Sequence, residues 1–350
     1  MPPFIIDPPL LNSSNPWATT LEDLQKLYDS LYTGAVTTRT SLLDGFNQDP
    51  KHHSHIFFNA SQHGTNRASD TDTIETNNAS LNSYGYSPIP FKDYLGFIKQ
   101  ISEEHDGKGR KPFIISVTGT VDEVSECYRQ IYLLQQEVSM PLAMEINLSC
   151  PNIPNKPPPA YDAASLAEYI KALAMHVPRS FPPVGIKTPP YTYANQFVTL
   201  IDTIGSVRCL DNTSPISFIT ATNTLGNSLV LSGSLEDTES DGFVSSAFRE
   251  ACPSHDGSGL GGMAGAPLHP LALGNVSQLT RRLKKHVATE HIKVIGVGGV
   301  SDADGFCRMK HVGATAVGVG TALGLKGVAV FEQIVKGLEG KGDITPAKIR

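Results

Sequence analysis

From about residue 30 onward the hydrophobic positions fall into two recurring patterns. Short, nearly continuous apolar and β-branched runs occur at Ala35–Thr38, Phe113–Val117, Ala143–Leu148, Val184–Lys187, Ser217–Ala221, Ile292–Val297 and Ala314–Val319. Longer segments with apolar residues at helical spacing accompany them: Leu21–Leu31, Phe91–Glu103, Val121–Glu137, Ala164–Met175, Ala194–Ile204, Pro270–Val287, Asp302–His311 and Val328–Leu338. Strands that are apolar throughout are buried on both faces, as parallel sheets covered by helices require. A weaker strand is expected near Asn82–Tyr86, and counting it gives eight β-units. In a chain of 350 residues, that alternation predicts an α/β fold of the (β/α)8 TIM-barrel type, usually about 250 residues or more. A doubly wound open sheet is the alternative, but no GxGxxG opens the first βα unit.

Two polar stretches interrupt the alternation, residues 59–80 and 231–258, both rich in Ser, Thr, Asn and Asp. Both follow strands, so they are expected as lids or disordered insertions at the C-terminal mouth of the barrel. No repeat, coiled coil or linker marks a second domain, and residues 1–350 are expected to form one. Hydrophobic residues at 40% and charged residues at 18% suit a soluble chain with a sizeable core. The net charge of -6 leaves no electrostatic footprint for nucleic acid or an anionic membrane. The N-terminus lacks a basic region followed by an apolar run, and no stretch approaches the roughly 20 apolar residues of a spanning helix. The five cysteines (Cys127, Cys150, Cys209, Cys252 and Cys307) are scattered without a CxxC pair. Disulfide frameworks, zinc sites and iron–sulfur clusters are therefore disfavoured, no metal is expected, and a cytoplasmic location is.

Candidate chemistry gathers at the strand ends. VIGVGGV (Val294–Val300) and AVGVGTAL (Ala316–Leu323) end the last two strands, where barrel enzymes commonly bind phosphate. Glycine lets backbone N–H groups approach an anion; the bland alternative is a pair of tight strand-to-helix turns. Lys187 ends an apolar strand in VGIKTPPY, where an ammonium either pairs with a core carboxylate or stabilises an anionic ring such as a reduced flavin. Asn82, Asn147, Asn152 and Asn223 fall at predicted strand ends. Each amide offers donors and an acceptor without net charge, which complements a pyrimidine-like ring, although any one asparagine can simply form a turn. Cys150 follows Ser149 and precedes Pro151 in a loop that proline keeps from becoming helix. Its thiol is a candidate for proton transfer; a buried, inert cysteine is the alternative.

These residues carry a family resemblance. EINLSCPNIPNKPPPAYD (145–162) closely resembles the active-site loop of class 1A dihydroorotate dehydrogenases, the soluble, fumarate-using form. The likeness runs from about residue 10 to residue 338 and includes NSYGY (82–86), VGIKTPPY (184–191), TNTLGNSLV (222–230), GLGGMAG (259–265), IGVGGV (295–300) and VGTAL (319–323). It implies a homodimeric enzyme of pyrimidine (UMP) biosynthesis with FMN at the barrel mouth, oxidising dihydroorotate to orotate with fumarate as acceptor. Cys150 resembles the catalytic base. Asn82, Asn147, Asn152, Asn223 and Thr224 resemble the substrate-binding set, with Tyr84, Gly85 and Tyr86 near the substrate carboxylate. Lys187 resembles the flavin-ring lysine, and Gly298, Gly299, Gly320 and Thr321 the phosphate cradle, supported by Gly261, Gly262, Ser14 and Asn147; Thr40 and Thr222 complete the implied cofactor set. Arg39 stands where the family typically has a lysine that reaches both flavin and substrate. Asn15, followed by Pro16, replaces a family glycine, and Tyr84 and Tyr86 replace smaller aliphatics. Alternatives are a flavin oxidoreductase of the same fold acting on another cyclic or unsaturated carbonyl compound, and a degenerate flavin-binding paralogue.

Overall fold

A computed structural model of the chain describes residues 4–62, 64–65, 76–149, 158–176, 182–209, 212–233, 235–236, 245–246 and 248–339. Eight parallel strands form the barrel: β1 (Leu10–Asn12), β2 (Val36–Thr37), β3 (Phe113–Val117), β4 (Leu142–Asn147), β5 (Val184–Thr188), β6 (Ile216–Ala221), β7 (Lys293–Val297) and β8 (Ala316–Val319). Each pairs with its chain neighbour, β8 returns to β1, and a bridge from Leu11 to Ala35 joins β1 to β2. Asn12 strengthens that last seam: its amide donates to Thr37 O at 2.6 Å while its Oδ1 accepts Thr37 N–H at 2.9 Å.

Around the strands lie α1 (Leu21–Asp29), α2 (Phe91–Glu104), α3 (Val121–Leu134), α4 (Ala163–His176), α5 (Ala194–Ser206), α6 (His269–Leu283), α7 (Ala303–His311), α8 (Thr321–Lys326) and α9 (Ala329–Glu339). Local chemistry sets several starts. Thr20 with Asp23 and Thr120 with Glu123 form reciprocal capping boxes, and Asp302 caps α7 by accepting Gly305 N–H at 2.7 Å. Among the described residues no helix is long and apolar enough to cross a membrane.

Seven strands lie where the apolar runs predict them. The eighth does not. Asn82–Tyr86 is no barrel strand; that place belongs to β1, a three-residue element near the N-terminus too short to show a period of its own. Asn82 instead ends the strand Ala79–Asn82 of a separate antiparallel sheet, in the order Leu225–Ser228, Gly261–Gly265, Ala79–Asn82, His55–Phe58. Ala79 and Ser80 bring the end of the first polar insertion into this sheet, and described parts of the two insertions pair with each other in a separate one. Leu231–Ser232 pairs with Gly64–Thr65 on one side and Arg249–Glu250 on the other. Their described parts are thus partly strands, and a small core of Phe58, Ala79, Leu81, Val230 and Cys252 lies in this region.

Side chains alternate along the barrel strands, one set packing outward against helices and the other filling the interior. The interior is apolar at one end, where Leu11, Ala35, Ile114, Ala143, Phe218, Ile295 and Ala316 meet, with Phe4 stacked on Phe218. Two residues further along β3, β4 and β6, the same face carries Ser116, Glu145 and Thr220. That switch from apolar to polar marks the working end.

Candidate functional site

The C-terminal strand ends and the antiparallel sheet line one cleft that opens to solvent. Its floor is a hydrogen-bonded polar layer. Glu145, 1% exposed, accepts Ser116 Oγ at 2.9 Å and Thr220 Oγ1 at 2.6 Å. Thr40 Oγ1 lies 2.9 Å from Ser116 Oγ and 3.0 Å from Ser14 Oγ, and it accepts the Asn147 amide at 3.0 Å. One hydroxyl therefore ties the turn after β1 to the ends of β2, β3 and β4. Lys187, 4% exposed on β5, donates to Ser14 O at 3.2 Å. An ammonium held this deep favours an anionic group beside it.

Asparagine amides form the next face. Asn147 Oδ1 accepts Ser149 Oγ at 2.9 Å, and Asn223 Nδ2 donates to the same Ser149 Oγ at 3.0 Å. Thr224 N–H donates to Asn223 Oδ1 at 2.8 Å, which fixes the orientation of that amide. Beside them Thr222 Oγ1 is buried, lines the cleft and has no hydrogen-bond partner among the described residues. A buried hydroxyl in that state is destabilising unless a ligand completes it.

The opposite wall is aromatic and cationic. Arg39, 7% exposed, sends Nη2 to Tyr86 O at 3.2 Å and Gln48 Oε1 at 3.1 Å, with its guanidinium 5.0 Å from the centre of the Tyr84 ring. Tyr84 Oη lies 3.0 Å from His55 Nδ1, and Trp17 meets His55 edge-on while stacking on Phe57. Burial raises the Tyr84 phenol pKa against the pull of Arg39, and burial lowers the His55 imidazole below its usual 6.5. Gly85 allows this wall to close, because a Cβ there would stand 2.3 Å from the Phe46 ring.

At the far end, the turns after β7 and β8 contribute Gly298, Gly299, Gly320 and Thr321. Gly298 and Gly299 have φ of 142° and 67°, and a Cβ on Gly299 would sit 2.6 Å from Gly265 O. Backbone there can approach a ligand that any larger residue would hold off. Thr321 Oγ1 and Ser80 Oγ, 2.8 Å apart, close the end from above.

Of the residues singled out in the sequence, the structure gathers Ser14, Arg39, Thr40, Asn82, Tyr84, Gly85, Tyr86, Asn147, Lys187, Thr222, Asn223, Thr224, Gly298, Gly299, Gly320 and Thr321 around one cleft. Gly261 and Gly262 stand further along the covering strand, which reaches the cleft through Ala264 and Gly265; Gly262 O accepts the Asn82 amide at 3.2 Å. Cys150 and Asn152 lie outside the described residues. The sequence reading missed Ser13, Trp17, His55 and Ser80 as lining residues. Trp17 is the only tryptophan of the chain and carried that one signal, whereas His55 and Ser80 belong to a sheet whose pairing no local pattern reveals.

Comparison with known proteins identifies a family and a fold. The dihydroorotate dehydrogenase family profile matches residues 62–341. Dihydroorotate dehydrogenase A (fumarate) from Lactococcus lactis subsp. cremoris is 28% identical over 333 residues, 95% of this chain and 89% of that protein. Its namesake from Lactococcus lactis subsp. lactis gives the same 28% identity and the same coverage. Among solved structures, DHODH of Eimeria tenella in complex with ferulenol superposes with a TM-score of 0.66 at 16% identity, covering 97% of this chain and 84% of that one, a likeness of fold.

Proposed function

The chain belongs to the dihydroorotate dehydrogenase family, and from that premise we propose that it is an FMN-dependent enzyme oxidising (S)-dihydroorotate to orotate, with fumarate as the acceptor. One convergence carries the proposal: glycine turns, a buried lysine, paired asparagine amides and an uncompleted hydroxyl share a single cleft. That donor set fits a flavin mononucleotide. The Gly298–Gly299 and Gly320–Thr321 turns would hold its phosphate, Lys187 would face its ring, and Thr222 Oγ1 would gain a partner. Bound FMN supplies the two-electron acceptor that amino-acid side chains lack.

The remaining work falls to the protein. Asn147 and Asn223, oriented through Ser149, present amide groups to the pyrimidine, and Asn82 and Asn152 extend that set. Arg39 and the Tyr84–Tyr86 turn take the substrate carboxylate, for which a planar guanidinium is matched in shape and charge. Cys150 Sγ takes the proton from C5 of dihydroorotate. The antiparallel sheet excludes water from above. In this proposal the chain works as one barrel domain, as a cytoplasmic homodimer, in pyrimidine synthesis.

The cofactor assignment is tested by adding FMN to apo protein and following the emission of Trp17, which lines the cleft. Saturable one-to-one quenching is expected, and unchanged emission with no bound flavin contradicts the assignment. In the loaded enzyme Cys150→Ser should slow dihydroorotate oxidation roughly 10²-fold or more at unchanged FMN content. Equal rates would remove Cys150 from the proton step.

A further inference from the structure

Behind the glycine turn after β7 stands a pair of side chains to which the proposed chemistry gives no role. His269, the first residue of α6 and 9% exposed, brings Nδ1 to 2.7 Å from Gly298 O. Arg308 of α7 donates through Nε to His269 Nε2 at 3.0 Å. These partners fix the tautomer. An arginine Nε–H can only donate, so Nε2 offers its lone pair; a carbonyl can only accept, so Nδ1 carries the proton. A single neutral imidazole meets both demands, donating forward to Gly298 and accepting from Arg308 behind.

The bond acts on the peptide between two glycines. Gly298 and Gly299 both have positive φ, and neither has a side chain to hinder rotation of the plane between them. In a trans peptide the carbonyl and the following N–H point in opposite directions. Gly298 and Gly299 line the cleft, while His269 packs behind them, its Cβ 2.7 Å from where a Cβ on Gly299 would be. Holding Gly298 O rearward therefore turns Gly299 N–H toward the cleft. The flipped plane would present a carbonyl oxygen to any anion there.

We propose that His269, held in one tautomer by Arg308, is a positioning residue that locks the Gly298–Gly299 peptide with its N–H toward the cleft. In doing so it sets the site's preference for a phosphorylated ligand over its unphosphorylated counterpart. This rests on the FMN proposal above, and riboflavin is the counterpart that isolates the phosphate.

The test measures FMN and riboflavin dissociation constants by Trp17 quenching in wild type, His269→Leu, His269→Gln and Arg308→Met. Arg308 is exposed, so Arg308→Met keeps the test available should His269→Leu fail to fold. His269→Leu and Arg308→Met should weaken FMN about tenfold, as removal of a ligand-orienting partner commonly does, and leave riboflavin within about twofold. His269→Gln, whose amide can both donate and accept, should recover most of the loss. In the apo protein, ¹⁵N shifts should show a protonated Nδ1 and an unprotonated Nε2 on His269, a signature that Arg308→Met weakens. Undiminished FMN preference in both loss variants, or equal loss of both ligands, would overturn the lock alone. A wild-type chain indifferent to the phosphate would overturn the FMN assignment and the lock with it.

Discussion

Thr222 illustrates what a single residue discloses once its surroundings are known. Its hydroxyl is buried at the cleft without a partner among the described residues, an arrangement that lowers stability in the free state. Thr222→Val keeps the shape and removes the orphan. The apo variant should gain about 1 kcal/mol in chemical denaturation while FMN binds several-fold more weakly, roughly the value of one hydrogen bond. Unchanged FMN affinity would dissociate this hydroxyl from the cofactor. His55 makes a second prediction. Burial holds its imidazole below the usual 6.5, so between its folded value and 6.5 an opened wall binds more protons than the closed one. Stability of the Trp17–His55–Tyr84 wall therefore rises with pH through that window and is level above it. Acidifying from about pH 7 to pH 5 should alter Trp17 emission in wild type but much less in His55→Gln; identical profiles would contradict it. Residue roles were only partly legible in the sequence. Lys187 and Asn147 stood out as polar groups ending apolar strands, and Thr222 entered only through the family resemblance, whereas His55 acquires meaning only from burial and neighbours.

Among the elements, β1 carries the clearest lesson. Seven strands are legible as apolar runs because parallel strands buried on both faces leave a continuous signature. A three-residue strand leaves none, and β1 holds its place through partners: β8 on one side, and on the other a Leu11–Ala35 bridge with the Asn12–Thr37 clamp. Asn12 is fully buried, so Asn12→Ala leaves both a donor and an acceptor of Thr37 without their partner. Chemical denaturation should record a loss of about 3 kcal/mol. A loss below about 1 kcal/mol would mean that the strand pairing alone closes the barrel. The clamp also bears on chemistry, because Ser13 and Ser14 follow Asn12 directly into the cleft. The six-residue α8 escaped the sequence reading as well, since its first turn is also the cleft's glycine turn.

At the scale of the molecule, the barrel supplies a floor and the antiparallel sheet supplies a roof. The floor was readable from strand ends. The roof was not, since its strands come from separate stretches and meet only in space, as residues 79–82 do beside 261–265. Polar composition suggested lids or disordered insertions; their described parts Gly64–Thr65, Leu231–Ser232 and Arg249–Glu250 pair as short strands, while residues 66–75 and 237–244 lie outside the described residues. The resulting cleft brings amides, a lysine, an arginine and two glycine turns to one place, and the central claim is that this place oxidises dihydroorotate through FMN. The most direct measurement is an anaerobic titration of the FMN-loaded protein followed by the flavin's visible absorbance. Dihydroorotate should bleach the band stoichiometrically and fumarate should restore it; a band that dihydroorotate leaves oxidised would contradict the account.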